Sequence, residues 1–340
     1  DDIASDVVAN LQIELLSPLP RARHVNPEVL ALTAQASQLH QARPEGSGEK
    51  MYALLSRALE IDPEHIPALD MMAMAWWYLI SEREITWEEG QLKIRENLNR
   101  ILEIDPNSAY VDFYDAFMLS GENKLEEAAA LYTSALGKDP TRPDNVRVAG
   151  YFAQHIGHLE TASRILRYAL AIDPLCHQCR RRYAESLMYA GDYAGAQREY
   201  ERYLIAGNEG WQDYVLLLLL RGKAQEALAY LESARRLESA QSAGDWLQLV
   251  GEARRAMVLY SLGRVDEAEA IFAELGDRSD YHDQRSLTFM RTEVAAWMGD
   301  REFAFEKLFA MAATEFQYLH RRTFSPVWQN LHSDPRWIEY

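Results

Sequence analysis

The sequence predicts an all-α chain built as an α-solenoid of about eight helix pairs with a C-terminal capping helix. Three observations carry this. First, Pro106, Pro140 and Pro174, which close LNRILEIDP, LYTSALGKDP and LRYALAIDP, stand 34 residues apart, the length of one helix–turn–helix repeat. Second, small residues recur with that period: Ala116 and Gly150 lie 24 residues before their closing proline, Ala128 and Ala162 lie 12 before it, and Ala135 and Ala169 lie 5 before it. Third, four later turns place a glycine five residues before an alanine: Gly191 and Ala196, Gly222 and Ala227, Gly263 and Ala268, Gly299 and Ala304. Where antiparallel helices cross, a small side chain lets the backbones approach, and glycine suits the end of the first helix, where φ is often positive.

The elements follow in order. Residues 1–17 form an N-terminal amphipathic helix, with Ile3, Val7, Leu11 and Leu15 on one face. Pro18 and Pro20 break it, so 18–26 read as a linker. Residues 27–106 hold two irregular repeats. The first is a helix from about Pro27 to Gln41 and a second closing at Pro63; the next pair, near 64–82 and 87–103, carries the extra segment SEREITWEEG. Residues 107–318 hold the regular repeats, although Tyr203 and Met311 occupy positions where a small residue is usual. Residues 319–340 form the cap, with Val327, Trp328, Leu331 and Trp337 covering the last open face, as stacked repeats require.

Composition narrows the function. Thirty-five Lys and Arg against 52 Asp and Glu give a net charge of −17, which argues against direct nucleic-acid contact, because phosphate binding needs clustered cations. The longest apolar run, Met71 to Ile80, is ten residues, too short to span a bilayer. The chain opens on DDIASDVVANLQIELL without the basic start of a secretory leader and without an initiator Met, so a fragment of a longer protein is expected. No nucleotide-binding glycine loop, GxSxG elbow or HExxH pair is present. The nine histidines are scattered without metal-ligand spacing, the nearest pairs being His155 with His158 and His320 with His332. A non-catalytic chain without cofactor or metal is expected.

One feature is chemically pointed: Cys176-His-Gln-Cys179 at the start of a helix. Residues three apart on a helix lie roughly 5 Å apart between Cα atoms, within reach of a disulfide. A structural disulfide, inert thiols and a redox-active pair are all compatible with the spacing, since a helix N-terminus also lowers a thiol pKa. Zinc would need two more ligands from elsewhere. Covalent haem attachment would need a histidine where Arg180 stands.

The period, the recurring alanines and the helix–turn–helix length resemble the tetratricopeptide repeat (TPR). That resemblance implies a right-handed solenoid whose concave inner surface is lined by the first helix of each pair. Carried over by position, the surface holds Tyr110, Phe113 and Phe117; then Arg147, Tyr151, Gln154 and His155; then Gln178, Arg181, Glu185, Met188 and Tyr189; then Gln212, Leu216, Leu219 and Leu220. Aromatic residues and arginine dominate binding energy at interfaces, so a protein or peptide ligand in the groove is expected. The same residues are also candidates for packing between repeats. The Lys/Asn clamp with which some relatives hold a C-terminal carboxylate is not reproduced, because Tyr151 and Glu185 stand where asparagine would. Leu216 to Leu220 are more apolar than an open groove should be, which points to another segment or a second subunit covering them, a homodimer being one form of that.

Over its whole length, with DPLCHQC before a helix and the tail FSPVWQNLHSDPRW, the chain also resembles the C-terminal TPR region of bacterial membrane-anchored regulators. In these a ToxR/CadC-like winged-helix or class III cyclase domain precedes the array. That implies the sensory or partner-binding half of a signalling or transcriptional regulator, on the periplasmic side where Cys176 and Cys179 become oxidised, with a cytoplasmic location as the alternative. A free-standing TPR adaptor for a protein complex is the alternative function.

Overall fold

The computed structural model describes residues 26–42, 46–82, 84–205, 211–239, 245–278, 284–312 and 324–339. The expected N-terminal helix over 1–17 and nearly all of the linker lie outside these. The described residues contain helices and no strand. In chain order the helices are α1 Pro27–Ala42, α2 Ser47–Ile61, α3 Ile66–Ser81, α4 Trp87–Ile104, α5 Ala109–Gly121 and α6 Leu125–Lys138. Then follow α7 Pro143–His155, α8 Leu159–Ile172, α9 His177–Tyr189, α10 Tyr193–Ile205, α11 Trp211–Leu220 and α12 Ala224–Ser239. The last are α13 Asp245–Ser261, α14 Val265–Gly276, α15 Gln284–Met298, α16 Arg301–Ala312 and, after a 3₁₀ turn at Pro326–Trp328, the short α17 Arg336–Glu339.

Consecutive helices pack as pairs, α1 with α2 through α15 with α16, and within residues 1–140 and within residues 141–340 each pair continues onto the next. First helices also touch first helices, α7 with α9, α11 with α13 and α13 with α15. This is an all-α, TPR-like solenoid. The chain divides into two compact units, residues 1–140 and 141–340. That division falls one pair after the 106/107 boundary read from repeat regularity.

Local chemistry explains both kinds of turn. At the ends of the first four second helices, Asp62, Asp105, Asp139 and Asp173 are extended and donate their N–H to the carbonyl four residues back. Three of these carboxylates then accept the N–H two residues on: Glu64 at 3.2 Å, Asn107 at 3.1 Å and Leu175 at 2.9 Å. The aspartate thus caps and turns the chain, while the proline after it cannot extend the helix.

Between the two helices of a pair, the chain passes through a left-handed residue. Gly157, Gly191, Gly222, Gly263 and Gly299 have φ between 70° and 87°. Each is followed by an N–H that reaches back five residues, such as Asp192 N to Leu187 O at 2.9 Å, the hydrogen bond of a Schellman cap. Asn123 makes the same turn at φ 61° and is the one non-glycine with positive φ among the described residues. The alanine five residues after each, Ala128, Ala162, Ala196, Ala227, Ala268 and Ala304, is fully buried. At Gly150, an added Cβ would lie 2.7 Å from Leu166 Cγ, so this crossing admits nothing larger than hydrogen. Tyr203 and Met311, which break the small-residue pattern, are nevertheless buried.

The C-terminal segment covers the last pair as the sequence predicts. Val327, Trp328 and Leu331 are buried, and the Trp328 ring meets Phe289 of α15 edge-on at 5.8 Å. Arg336 holds this segment to α16 through Glu302 at 2.9 Å, and pairs with Asp334. Within its own unit, α11 buries Leu216 and Leu219 among α10, α12 and α13. The single chain therefore covers these leucines without a second subunit.

Asn123 occupies a backbone conformation that costs an L-residue energy and costs glycine none. Asn123→Gly is expected to raise stability by up to about 1 kcal/mol in a chemical denaturation series.

Candidate functional site

The expected site residues are divided between the two units, each taken by itself. In residues 1–140, Phe113 is 8% exposed and packs edge-on against Tyr114 and Tyr132. It is a core residue, not a ligand contact, because its position on α5 faces α6. Phe117 is partly exposed and meets Trp77 of α3 at 5.1 Å, and Trp77 in turn meets Trp87, at the start of α4, at 5.7 Å. Trp87 belongs to the inserted segment and is half exposed, so the insertion extends an aromatic row that position-by-position carry-over misses.

In residues 141–340 the site is organised by α9, HQCRRRYAESLMY, the most polar of the first helices. α9 is flanked by α7, α8 and α10, so its charges must find partners as they leave water. Successive residues of a helix point about 100° apart, and three consecutive arginines use this to reach three different helices. Arg180 pairs with Glu199 of α10 at 2.6 Å, and Arg181 pairs with Asp213 of α11 at 3.4 Å. Arg182 lies over the Tyr151 ring of α7, its guanidinium carbon 3.8 Å from the centroid, and also pairs with Glu185 at 2.6 Å. Tyr189 donates to the same Glu185 carboxylate at 3.3 Å, and Tyr151 packs on His155 with centroids 3.9 Å apart. A further arginine joins first helices later in the unit, where Arg254 of α13 and Glu293 of α15, each 3% exposed, pair at 3.3 Å.

These contacts fix the charge states. Burial works against the Arg182 cation, but Tyr151, Glu185 and Asp213 outweigh it and hold the guanidinium pKa above its ordinary value. Burial pushes the Tyr200 hydroxyl well above the ordinary phenol range, with Asp213 and Glu185 adding to the shift. Tyr214 is pushed up to about 12 by burial and by Glu201, to which it donates at 3.2 Å. Arg182 thus stays a cation and the Tyr200 and Tyr214 phenols stay neutral at neutral pH.

The expected residues separate accordingly. Tyr151, His155, Arg181, Glu185 and Tyr189 come together with Arg182 and Asp213. Arg147 and Gln178 are partly exposed on the same two helices. Gln154 and Glu185 are buried, at 1% and 4% exposure, and Met188 is buried as well, so these three serve packing between repeats, contrary to the expectation that they face a ligand. Among the described residues, neither polar atom of the Gln154 amide has a hydrogen-bond partner. Arg182 is the central residue that position matching misses; its signal in the sequence is the Arg-x-x-Glu spacing to Glu185, which puts both on one helix face. Cys176 and Cys179, with Cα atoms 5.3 Å apart, carry bonded sulfurs at the head of α9. Among the described residues, no cluster of three or more His, Cys, Asp or Glu has metal-binding geometry, and no helix is long and apolar enough to cross a membrane.

No protein-family model matches the chain, and no curated protein matches it. Solved structures are similar. PilW, a type IV pilus biogenesis factor, is 23% identical over 66% of this chain and 99% of its own, with a TM-score of 0.46. A tetratricopeptide repeat protein from Parabacteroides merdae is 14% identical over 78% of this chain and 99% of its own, also at 0.46. PilF from Pseudomonas aeruginosa is 20% identical over 62% and 91%, at 0.43.

The Arg182 stack depends on a planar cation that lysine does not provide. Arg182→Lys is expected to cost about 1–2 kcal/mol of stability, whereas Tyr151→Phe, which keeps the ring face, should change it by less than about 0.5 kcal/mol. Thermal unfolding of the two variants checks the contrast.

Proposed function

We propose that the chain is a non-catalytic protein- or peptide-binding module that presents the α7 and α9 face, with Arg147, Gln178, Arg181 and Tyr189 as its contact residues. The observation that carries this reading is the bracing of α9. Arg180, Arg181 and Arg182 are each held by a different neighbouring helix, so the arginine and tyrosine side chains on this face are ordered before any ligand arrives. Ordering in advance reduces the entropy lost on binding, and Arg and Tyr are the residue types that anchor interfaces. The acidic balance of the whole chain supports a basic partner, which it would steer towards the protein over long range.

The resemblance of the tail and of the DPLCHQC segment supports a finer proposal, that this module is the sensory or partner-binding half of a membrane-anchored bacterial regulator, facing the periplasm. A free-standing adaptor uses the same face, and the two readings differ in what is attached to it. Immunoblots of membrane and soluble fractions of the source cells separate them: a membrane band well above the mass of this chain supports the regulator half, and a soluble band of this size supports the adaptor.

Binding is tested at two partly exposed residues of this face. Arg147→Ala combined with Gln178→Ala is expected to weaken a crosslinked partner complex by tenfold or more, about 1.4 kcal/mol, with the helix content by circular dichroism unchanged. Undiminished capture would remove this face from the account. Tyr151 is unsuitable for the test, because its removal also unseats Arg182.

A further inference from the structure

We propose that Cys176 and Cys179 form a reversible thiol–disulfide exchange site for small thiols of the glutathione class, with Cys176 as the sulfur attacked and Cys179 as the resolving sulfur. The inference is independent of the partner-binding reading and rests on three features of the head of α9.

The first is asymmetry of access. Cys176 is partly exposed between Leu175, 77% exposed, and the exposed His177, while Cys179 is fully buried. A thiolate from solvent therefore reaches only one of the two sulfurs, which is the division of roles that exchange requires.

The second is the position of Cys176 at the N-cap of a 13-residue helix, where its Sγ accepts the Cys179 N–H at 3.2 Å. The same N–H and the positive end of the helix dipole stabilise a thiolate at Cys176. That makes Cys176 a good leaving group when a mixed disulfide is resolved and a good nucleophile in the reverse direction.

The third is that the fold does not depend on the bridge. It spans a sequence separation of three, and a disulfide restrains the unfolded chain less the shorter the loop it closes. The arginines of α9 already tie the helix to α7, α10 and α11, so the bond can open with α9 in place.

A thiolate RS⁻ attacks Cys176 Sγ; the Cys176–Cys179 bond breaks, its electron pair passes to Cys179 Sγ, and Cys179 takes up a proton from solvent. A second RS⁻ attacks the R sulfur of the mixed disulfide and releases Cys176 as a thiolate at the N-cap. The protein disulfide is reduced by two electrons and two RSH are oxidised to RSSR. Glutathione disulfide drives the reverse.

The test equilibrates the whole chain anaerobically with graded ratios of reduced to oxidised glutathione, quenches it with acid, alkylates it and measures intact mass. The expected result is a two-cysteine transition within the glutathione range, with helix content by circular dichroism unchanged across it. In addition, Cys179→Ser with glutathione disulfide should form a mixed disulfide at Cys176 at least tenfold faster than Cys176→Ser forms one at Cys179. The proposal is overturned if the bridge resists excess reduced glutathione until the chain unfolds, if both cysteines alkylate at every ratio, or if the two single variants react equally fast.

Discussion

Everything in this chain hangs on how closely two helices of a pair can approach. The left-handed turn residue and the buried alanine five positions later recur six times, from Asn123 and Ala128 to Gly299 and Ala304. The Schellman cap fixes where the first helix ends, and the alanine fixes where the second crosses it. At Gly150 the contact is so tight that an added Cβ would strike Leu166. With each crossing fixed, first helices within a unit come to lie beside one another, as α7 and α9 or α13 and α15 do, and their side chains meet across helix boundaries.

Those meetings give α9 its character. A helix with four charged residues in its first nine, flanked by three others, is stable only where each charge is answered. Its three arginines are answered by Glu199, Asp213, and the Tyr151 ring with Glu185. Most of the polar chemistry near the site is therefore turned inward, into bracing. In the proposed reading the partly exposed residues on the same helices serve recognition, and the disulfide at the head of α9 is where small thiols react.

The architecture was legible because its constraints are periodic in sequence. The Asp-Pro pairs at 105–106, 139–140 and 173–174 and the glycine-to-alanine spacing each repeat a local backbone requirement. The turns at Gly157 and Asn123 were harder to see. Gly157 is followed by His-Leu-Glu-Thr in a unit whose closing proline gave the stronger signal, and Asn123 takes a role that composition assigns to glycine, with Gly121 nearby as a decoy.

The site was only partly legible. Carry-over from repeat positions brought Tyr151, Arg181, Glu185 and Tyr189 to one place, but exposure depends on the angle and depth of packing, which no residue pattern encodes. Phe113, Gln154 and Glu185 thus turned out buried, and Arg182, one position from Arg181, turned out central. The aromatic row from Phe117 through Trp77 ends on Trp87 of the inserted segment, where the repeat register gives no guide.

The central claim is that helix approach at the small-residue crossing sustains the stack, and it is tested most directly by enlarging one crossing and one exposed position of the same helix. Ala162 is fully buried and Ala171 is exposed, both on α8. Equilibrium unfolding should show Ala162→Leu losing about 1–3 kcal/mol through overpacking, with Ala171→Leu within about 0.5 kcal/mol of the parent. Equal stability of the two variants would contradict the account.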